Sequence, residues 1–142
     1  MPQRIAIVQG SKSDESLGSV VAEVLKEYDI SYEKLVISAH RNPDLLDQFC
    51  KIADEQFDCI IAIAGLSAAL PGAISARVKI PVIGVPAEVG PLHGVDALIA
   101  MVQMPSGTPV ATMGIGVAGA KNAGHLAARI LRCTKNSGLG GG

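Results

Sequence analysis

The feature that most constrains this 142-residue chain is a regular alternation of short apolar runs with longer segments of helical periodicity. The apolar runs predict five strands, at residues 4–9, 33–37, 59–64, 82–85 and 110–113. The segments that follow them predict helices at residues 14–28, 43–56, 71–78, 95–103 and 120–132. Because strand and helix alternate, the strands are expected to be parallel and joined by right-handed crossovers.

This alternation predicts a flavodoxin-like α/β fold, a three-layer sandwich around a five-stranded parallel sheet with the order 2-1-3-4-5. The composition agrees, since 49% of the residues are hydrophobic but only two are Phe, two are Tyr and none is Trp. Such a core is aliphatic, as expected for a sheet covered on both faces. We expect one catalytic domain at residues 1–134 and a flexible, glycine-rich tail at residues 135–142.

Composition also excludes several classes of function. The net charge is −1 and no basic run occurs, so nucleic-acid binding is not expected. The apolar stretch at residues 59–64 is too short to cross a bilayer, and no signal peptide is visible, which favours the cytoplasm and no membrane partner. The three cysteines and three histidines are too dispersed for a disulfide framework or a metal site. No nucleotide fingerprint is present, and no cofactor is expected.

The strongest functional signal lies at the first two strand-to-helix junctions, which read G-S-K-S-D at residues 10–14 and S-A-H-R at residues 38–41. In an open parallel sheet such junctions lie side by side at the carboxyl edge, where ligands bind. The third junction, at residues 64–72, is rich in glycine and alanine, which allow a ligand or another subunit to approach the backbone closely.

The first junction has two interpretations. Ser11, Ser13 and Asp14 are residues that commonly cap helices. Exposed amides at a helix start also favour a phosphate group. Asp14 would repel phosphate itself, but its carboxylate can accept hydrogen bonds from ribose hydroxyls. Both interpretations stay open from the residues alone.

The second junction is more specific, because His40 and Arg41 combine the residue type that can take up and release a proton near neutral pH with one that offers a bidentate fork for phosphate. Together they indicate a proton shuttle beside an anion anchor, which suits a phosphorylated substrate. The alternatives are a structural histidine and an arginine paired with a nearby carboxylate. His93 and His125 are expected to be a loop residue and a packing or surface residue.

Seven motifs occur in order and carry a resemblance to a known family. They are G-S-K-S-D, S-A-H-R-x-P, A-G-L-S-A-A-L-P-G, P-V-I-G-V-P, G-V-D-A-L, V-Q-M-P-S-G-x-P-V-A-T and K-N-A-x-x-L-A-A-x-I-L. From residue 4 to residue 131, the chain resembles the N5-carboxyaminoimidazole ribonucleotide mutases, the small-subunit type of phosphoribosylaminoimidazole carboxylase in purine biosynthesis. The resemblance implies a flavodoxin-like fold, a homo-octamer with active sites built from several subunits, and no metal, ATP or other cofactor.

The resemblance also implies roles for individual residues. His40 would be the general acid and base, and Ser11, Asp14 and Arg41 would bind the ribose phosphate. The remaining candidate substrate-binding residues are Ser13, Ser38, Gly65, Ser67 and Leu70. The implied reaction converts N5-carboxyaminoimidazole ribonucleotide to 4-carboxy-5-aminoimidazole ribonucleotide by decarboxylation and recarboxylation.

The third junction departs from the family pattern in a way that leaves alternatives. Ala69 stands where these mutases usually have histidine, and Ser67 and Leu70 are partly similar to residues of the related carboxylases that use carbon dioxide directly. Arg41 and Pro71 are similar to the mutases instead. The alternatives are therefore a direct aminoimidazole ribonucleotide carboxylase and a catalytically silent paralogue that binds sugar phosphates.

Overall fold

The computed structural model describes residues 4–140 and contains one sheet of five strands. The strands are β1 (Arg4–Gln9), β2 (Ser31–Val36), β3 (Cys59–Ala64), β4 (Val82–Pro86) and β5 (Ala111–Thr112). All pairs are parallel and the order is β2-β1-β3-β4-β5. The predicted fold class and strand order are therefore confirmed.

Helices follow each strand. They are α1 (Glu15–Glu27), α2 (Pro43–Gln56), α3 (Leu70–Ser75), α4 (Val95–Val102) and α5 (Val117–Gly140), with a short 3-10 turn at Lys12–Asp14 before α1. The last helix is longer than the pattern predicted, and it includes residues 135–140 of the predicted tail. Residues 141 and 142 lie outside the described part, so the flexibility of the tail stays a prediction. Among the described residues, no helix combines the length and the apolar character needed to cross a membrane.

Alternate side chains of the strands enter two separate cores, which produces the three layers. Ile5 and Ile7 pack against α1 and α5 on one face of the sheet, whereas Ala6 and Val8 pack towards α2, α3 and α4 on the other. Every residue of β3 is buried, as a central parallel strand covered on both faces requires. The cores are almost entirely aliphatic, in agreement with the composition.

One prediction about packing is wrong. The helical spacing of Leu45, Phe49 and Ile52 predicts that all three share the core-facing stripe of α2, but Leu45 and Ile52 are 45% and 46% exposed. The buried residues are Leu46, Phe49, Cys50 and Ala53. The buried face therefore combines Leu46 and Phe49 with two small residues, Cys50 and Ala53, while Leu45 and Ile52 face away from the sheet.

The two edges of the sheet differ in length. β5 contributes only Ala111–Thr112, which pair with β4. At the other edge, all six residues of β2 pair with β1. The exposed charges on β2 are held in ion pairs, because Glu33 pairs with Arg4 and Lys34 pairs with Glu15.

Candidate active site

The carboxyl ends of β1, β2 and β3 open onto one cavity of about 300 Å³. The nine candidate residues all line it: Ser11, Ser13, Asp14, Ser38, His40, Arg41, Gly65, Ser67 and Leu70. A cavity of this size is typical of sites for small molecules. The structure therefore brings together the three loops that the strand order places side by side.

Backbone hydrogen bonds fix these loops to one another. The amide of Gly10 donates to the carbonyl of Ile63 at 2.9 Å, which joins the end of β1 to β3. The amide of Ile37 donates to the carbonyl of Gln9, also at 2.9 Å, and joins β2 to the same strand. Because β1 lies between β2 and β3, its loop becomes the centre of the cavity floor.

The first loop is organised around a buried carboxylate. Asp14 is only 6% exposed, and its Oδ2 accepts hydrogen bonds from the Ser11 amide at 3.1 Å and the Ser11 hydroxyl at 3.5 Å. The Ser11 and Ser13 hydroxyl oxygens are 2.5 Å apart. Burial raises the pKa of Asp14 above its ordinary value, and the bonds from Ser11 and Gly10 partly oppose this shift. Asp14 thus caps the turn and lines the cavity at the same time.

The second loop presents its two functional side chains on a tight turn. The Ser38 hydroxyl accepts a hydrogen bond from the Arg41 amide at 3.1 Å, and the Asn42 amide donates to the Ser38 carbonyl at 2.9 Å. Pro43 then begins α2. His40 and Arg41 are exposed, and neither side chain makes a hydrogen bond or an ion pair with residues 4–133, whose side chains the structure describes. Both groups are therefore available to a ligand.

The third loop packs closely against the loop that follows β4. A Cβ added to Gly65 would lie 2.4 Å from Cγ2 of Val89, and one added to Gly90 would lie 2.6 Å from Cδ2 of Leu66. Leu66 and Gly90 both adopt positive φ, at 56° and 78°. These contacts make the loop after β4 one wall of the cavity.

Sequence reasoning missed several residues of the cavity wall. They are Gly10, Ala39, Ala64, Leu66, Ala68, Ala69 and Val89. All but Val89 belong to the three loops already identified, so their motifs were the available signal. Val89 lies in the Pro- and Gly-rich loop after β4, whose composition indicates a loop but not its position.

A second, open cavity of about 380 Å³ adjoins His40 on its other side. Its wall also includes Ser67, Ala69, Gly72 and Met104. Ala69 is the position where mutases of the family that the chain resembles usually have histidine. The small side chain leaves space between His40 and the start of α3.

The other titratable groups lie elsewhere. His125 bonds through Nδ1 to the Tyr28 hydroxyl at 2.7 Å, and neither His93 nor His125 lines the 300 Å³ cavity. Burial raises the pKa of Cys50 to about 11 and that of Cys59 to about 12, so neither thiol is a ready nucleophile. Among the side chains that the structure describes, at residues 4–133, no three of His, Cys, Asp or Glu are grouped to hold a metal ion.

Comparison with known proteins agrees with this arrangement. The AIR carboxylase family matches residues 4–138. The N5-carboxyaminoimidazole ribonucleotide mutase of Escherichia coli K12 is 49% identical over 131 residues, which cover 92% of this chain and 78% of that protein. The Bacillus subtilis protein of the same name is 47% identical over 132 residues, covering 92% and 82%. The crystal structure of Treponema denticola PurE has a TM-score of 0.82 at 32% identity, covering 92% and 81%. From its motifs, its fold and these matches, the chain belongs to the AIR carboxylase family.

Proposed function

We propose that this protein is an isomerase of de novo purine biosynthesis that converts N5-carboxyaminoimidazole ribonucleotide to 4-carboxy-5-aminoimidazole ribonucleotide. The curated relatives that carry the mutase name are 47% and 49% identical over nine-tenths of the chain. The observation that carries the proposal is the convergence of unpaired His40 and Arg41 with the Ser11–Asp14 turn around one cavity.

Substrate binding follows from the charges in the cavity. The Arg41 guanidinium and the hydroxyls of Ser11, Ser13 and Ser38 bind the phosphate, because arginine and hydroxyl groups donate to its oxygens. The Asp14 carboxylate, held by Ser11, accepts from the ribose rather than from the anion. Gly65, Ser67 and Leu70 of the third loop flank the imidazole ring.

The reaction exchanges a carboxylate and a proton between two atoms of the substrate. First the bond between the exocyclic nitrogen and the carboxylate carbon breaks, carbon dioxide forms, and protonated His40 gives its proton to the nitrogen. Ring carbon C4 then attacks carbon dioxide, a carbon–carbon bond forms, and the C4 proton passes to neutral His40. Every atom and electron pair is conserved, so one general acid and base is sufficient.

The decisive assay supplies freshly made N5-carboxyaminoimidazole ribonucleotide in degassed buffer. Wild-type protein is expected to convert this substrate. His40→Asn is expected to lower the turnover rate by about two to four orders of magnitude, which is the typical effect of removing a general acid and base. His93→Asn is the matched control, because His93 lies outside the cavity and Asn tolerates its positive φ of 54°. Near wild-type turnover by His40→Asn, or no turnover by the wild type, contradicts the proposal.

Direct carboxylation of aminoimidazole ribonucleotide is the second candidate function. The open space beside His40, which results from alanine at position 69, favours it. The two reactions differ in their dependence on free carbon dioxide, since a mutase moves a carboxylate that its substrate already carries. If aminoimidazole ribonucleotide with bicarbonate is consumed faster than the carbamate at equal concentrations, the carboxylase is the correct assignment.

We also propose a cytoplasmic homo-octamer. Val95, Ile99 and Val102 are 47%, 54% and 54% exposed, and their spacing places them on one face of α4. An apolar stripe of this kind is typical of a surface that another subunit covers. Light scattering is expected to report eight chains per particle, and a monomer at micromolar concentration would contradict this assembly.

A further inference from the structure

The substrate cavity has a side chamber that the proposed mechanism does not use. This chamber measures about 180 Å³ and shares Ser13, Asp14 and Val89 with the larger cavity. Ser16 of α1 and Glu88, from the loop after β4, complete its polar lining. Asp14 and Val89 therefore border both compartments, and Glu88 lines the smaller one only.

The chamber and the main cavity differ in the charges that line them. Among the described residues, the chamber wall contains no Lys, Arg or His, and its polar groups are two hydroxyls and two carboxylates. Arg41 lies in the main cavity instead. A phosphate is repelled from the chamber and attracted towards Arg41. The group that fits beside Asp14 and Glu88 is an uncharged donor of hydrogen bonds, and the vicinal hydroxyls of a ribose are such donors.

The backbone holds Glu88 at this place. The amide of Ala87 donates to the carbonyl of Ala64 at 3.0 Å, and the amide of Gly116 donates to the carbonyl of Pro86 at 2.9 Å. Glu88 thus lies between the end of β3 and the start of α5. Its carboxylate makes no hydrogen bond or ion pair with any of the side chains described, at residues 4–133, so its acceptor capacity is unused there.

Building on the proposed function, we infer that Glu88 is a specificity-determining residue that accepts a hydrogen bond from a ribose hydroxyl of the nucleotide. Asp14, which lines both compartments, accepts from the neighbouring hydroxyl. The pair selects ribonucleotides over deoxyribonucleotides, because loss of either hydroxyl leaves a carboxylate without its donor. The competing explanation is structural, since a carboxylate beside the first turn of α5 also stabilises the helix end.

The test measures the affinity of wild-type protein and Glu88→Ala for aminoimidazole ribonucleotide and for its 2′-deoxy and 3′-deoxy analogues by calorimetry. Wild-type protein is expected to bind the ribonucleotide more tightly than either analogue. Glu88→Ala is expected to bind the ribonucleotide about tenfold or more weakly, as loss of a hydrogen bond to a charged group does, while binding one deoxy analogue as before. Glu27→Ala removes an equal charge from an exposed position at the far end of α1 and is expected to change nothing.

Three outcomes overturn the inference. Equal weakening for all three nucleotides shows that Glu88 only supports α5. Unchanged affinities show that Glu88 does not contact the ribose. In both cases the proposed function stands, because the wild type still binds the ribonucleotide. Wild-type protein that binds none of the three overturns the proposed function and this inference together.

Discussion

The contact between the third loop and the loop after β4 predicts the effect of Gly65→Ala. The new methyl group would lie 2.4 Å from Cγ2 of Val89, whereas carbon atoms pack at about 3.5–4.0 Å. Valine has few rotamers with which to move aside, so the loops must separate by about 1 Å. Overpacking of this kind costs about 1–3 kcal/mol. Alanine also restricts the unfolded chain more than glycine does, and this effect offsets the cost by about 0.4–1 kcal/mol.

We therefore expect Gly65→Ala to lower the free energy of unfolding by about 1–2 kcal/mol, and Tm by roughly 3–10 °C for a chain of this size. Val89 is 40% exposed, so Val89→Ala alone is expected to cost less than about 1 kcal/mol. The double variant removes the colliding methyl group and should recover most of the loss. Urea unfolding of all four proteins measures this coupling. A fully stable Gly65→Ala, or a double variant whose loss equals the sum of the single losses, refutes the reasoning.

Three further predictions concern residues at or near the cavity. Gln9 is 1% exposed and neither of its amide atoms has a hydrogen-bond partner of normal geometry among the described residues, although Lys34 and, to a smaller extent, the nearby Gln9 side chain lower the pKa of the Glu15 carboxyl. Gln9→Met should therefore raise Tm by relieving a penalty of about 1–3 kcal/mol. A lower Tm would instead show that the amide bonds Glu15 or a buried water. Because burial raises the pKa of Asp14 above 3.8, ionisation of Asp14 destabilises the fold. Asp14→Asn should be the more stable protein in urea at pH 7, and the gain should shrink as the pH falls through the raised pKa and vanish below 3.8; an equal gain at every pH contradicts this. Arg41→Ala should weaken binding of aminoimidazole ribonucleotide, measured by calorimetry, far more than Arg41→Lys, because lysine keeps the charge but not the fork. Equal, small losses in both variants would assign Arg41 a structural role.

Much of the candidate site was predictable because topology decides which loops meet. Parallel alternation places the ends of β1, β2 and β3 at one edge, so residues 10–14, 38–41 and 64–72 converge without any knowledge of side-chain packing. The polar residue types in those loops then indicated anion binding and proton transfer.

The parts that were not predictable depend on contacts between distant segments. Val89 reaches the cavity because Gly65 allows close approach and Gly90 turns the chain with positive φ. No local sequence pattern predicts this contact between the third loop and the loop after β4. The buried face of α2 was misassigned for a related reason, since small residues such as Cys50 meet the sheet while Leu45 faces outward.

The unequal edges of the sheet have a consequence for aggregation. An edge strand is a template to which another chain can add, and fibrils grow by this addition. β5 offers a template of only two residues. At the opposite edge, β2 carries the charged residues Glu33 and Lys34, and charged side chains on an edge strand disfavour the addition of another strand. Contact between copies is thereby directed to helical surfaces such as the apolar face of α4, whose backbone amides are already bonded within the helix and cannot propagate a fibril.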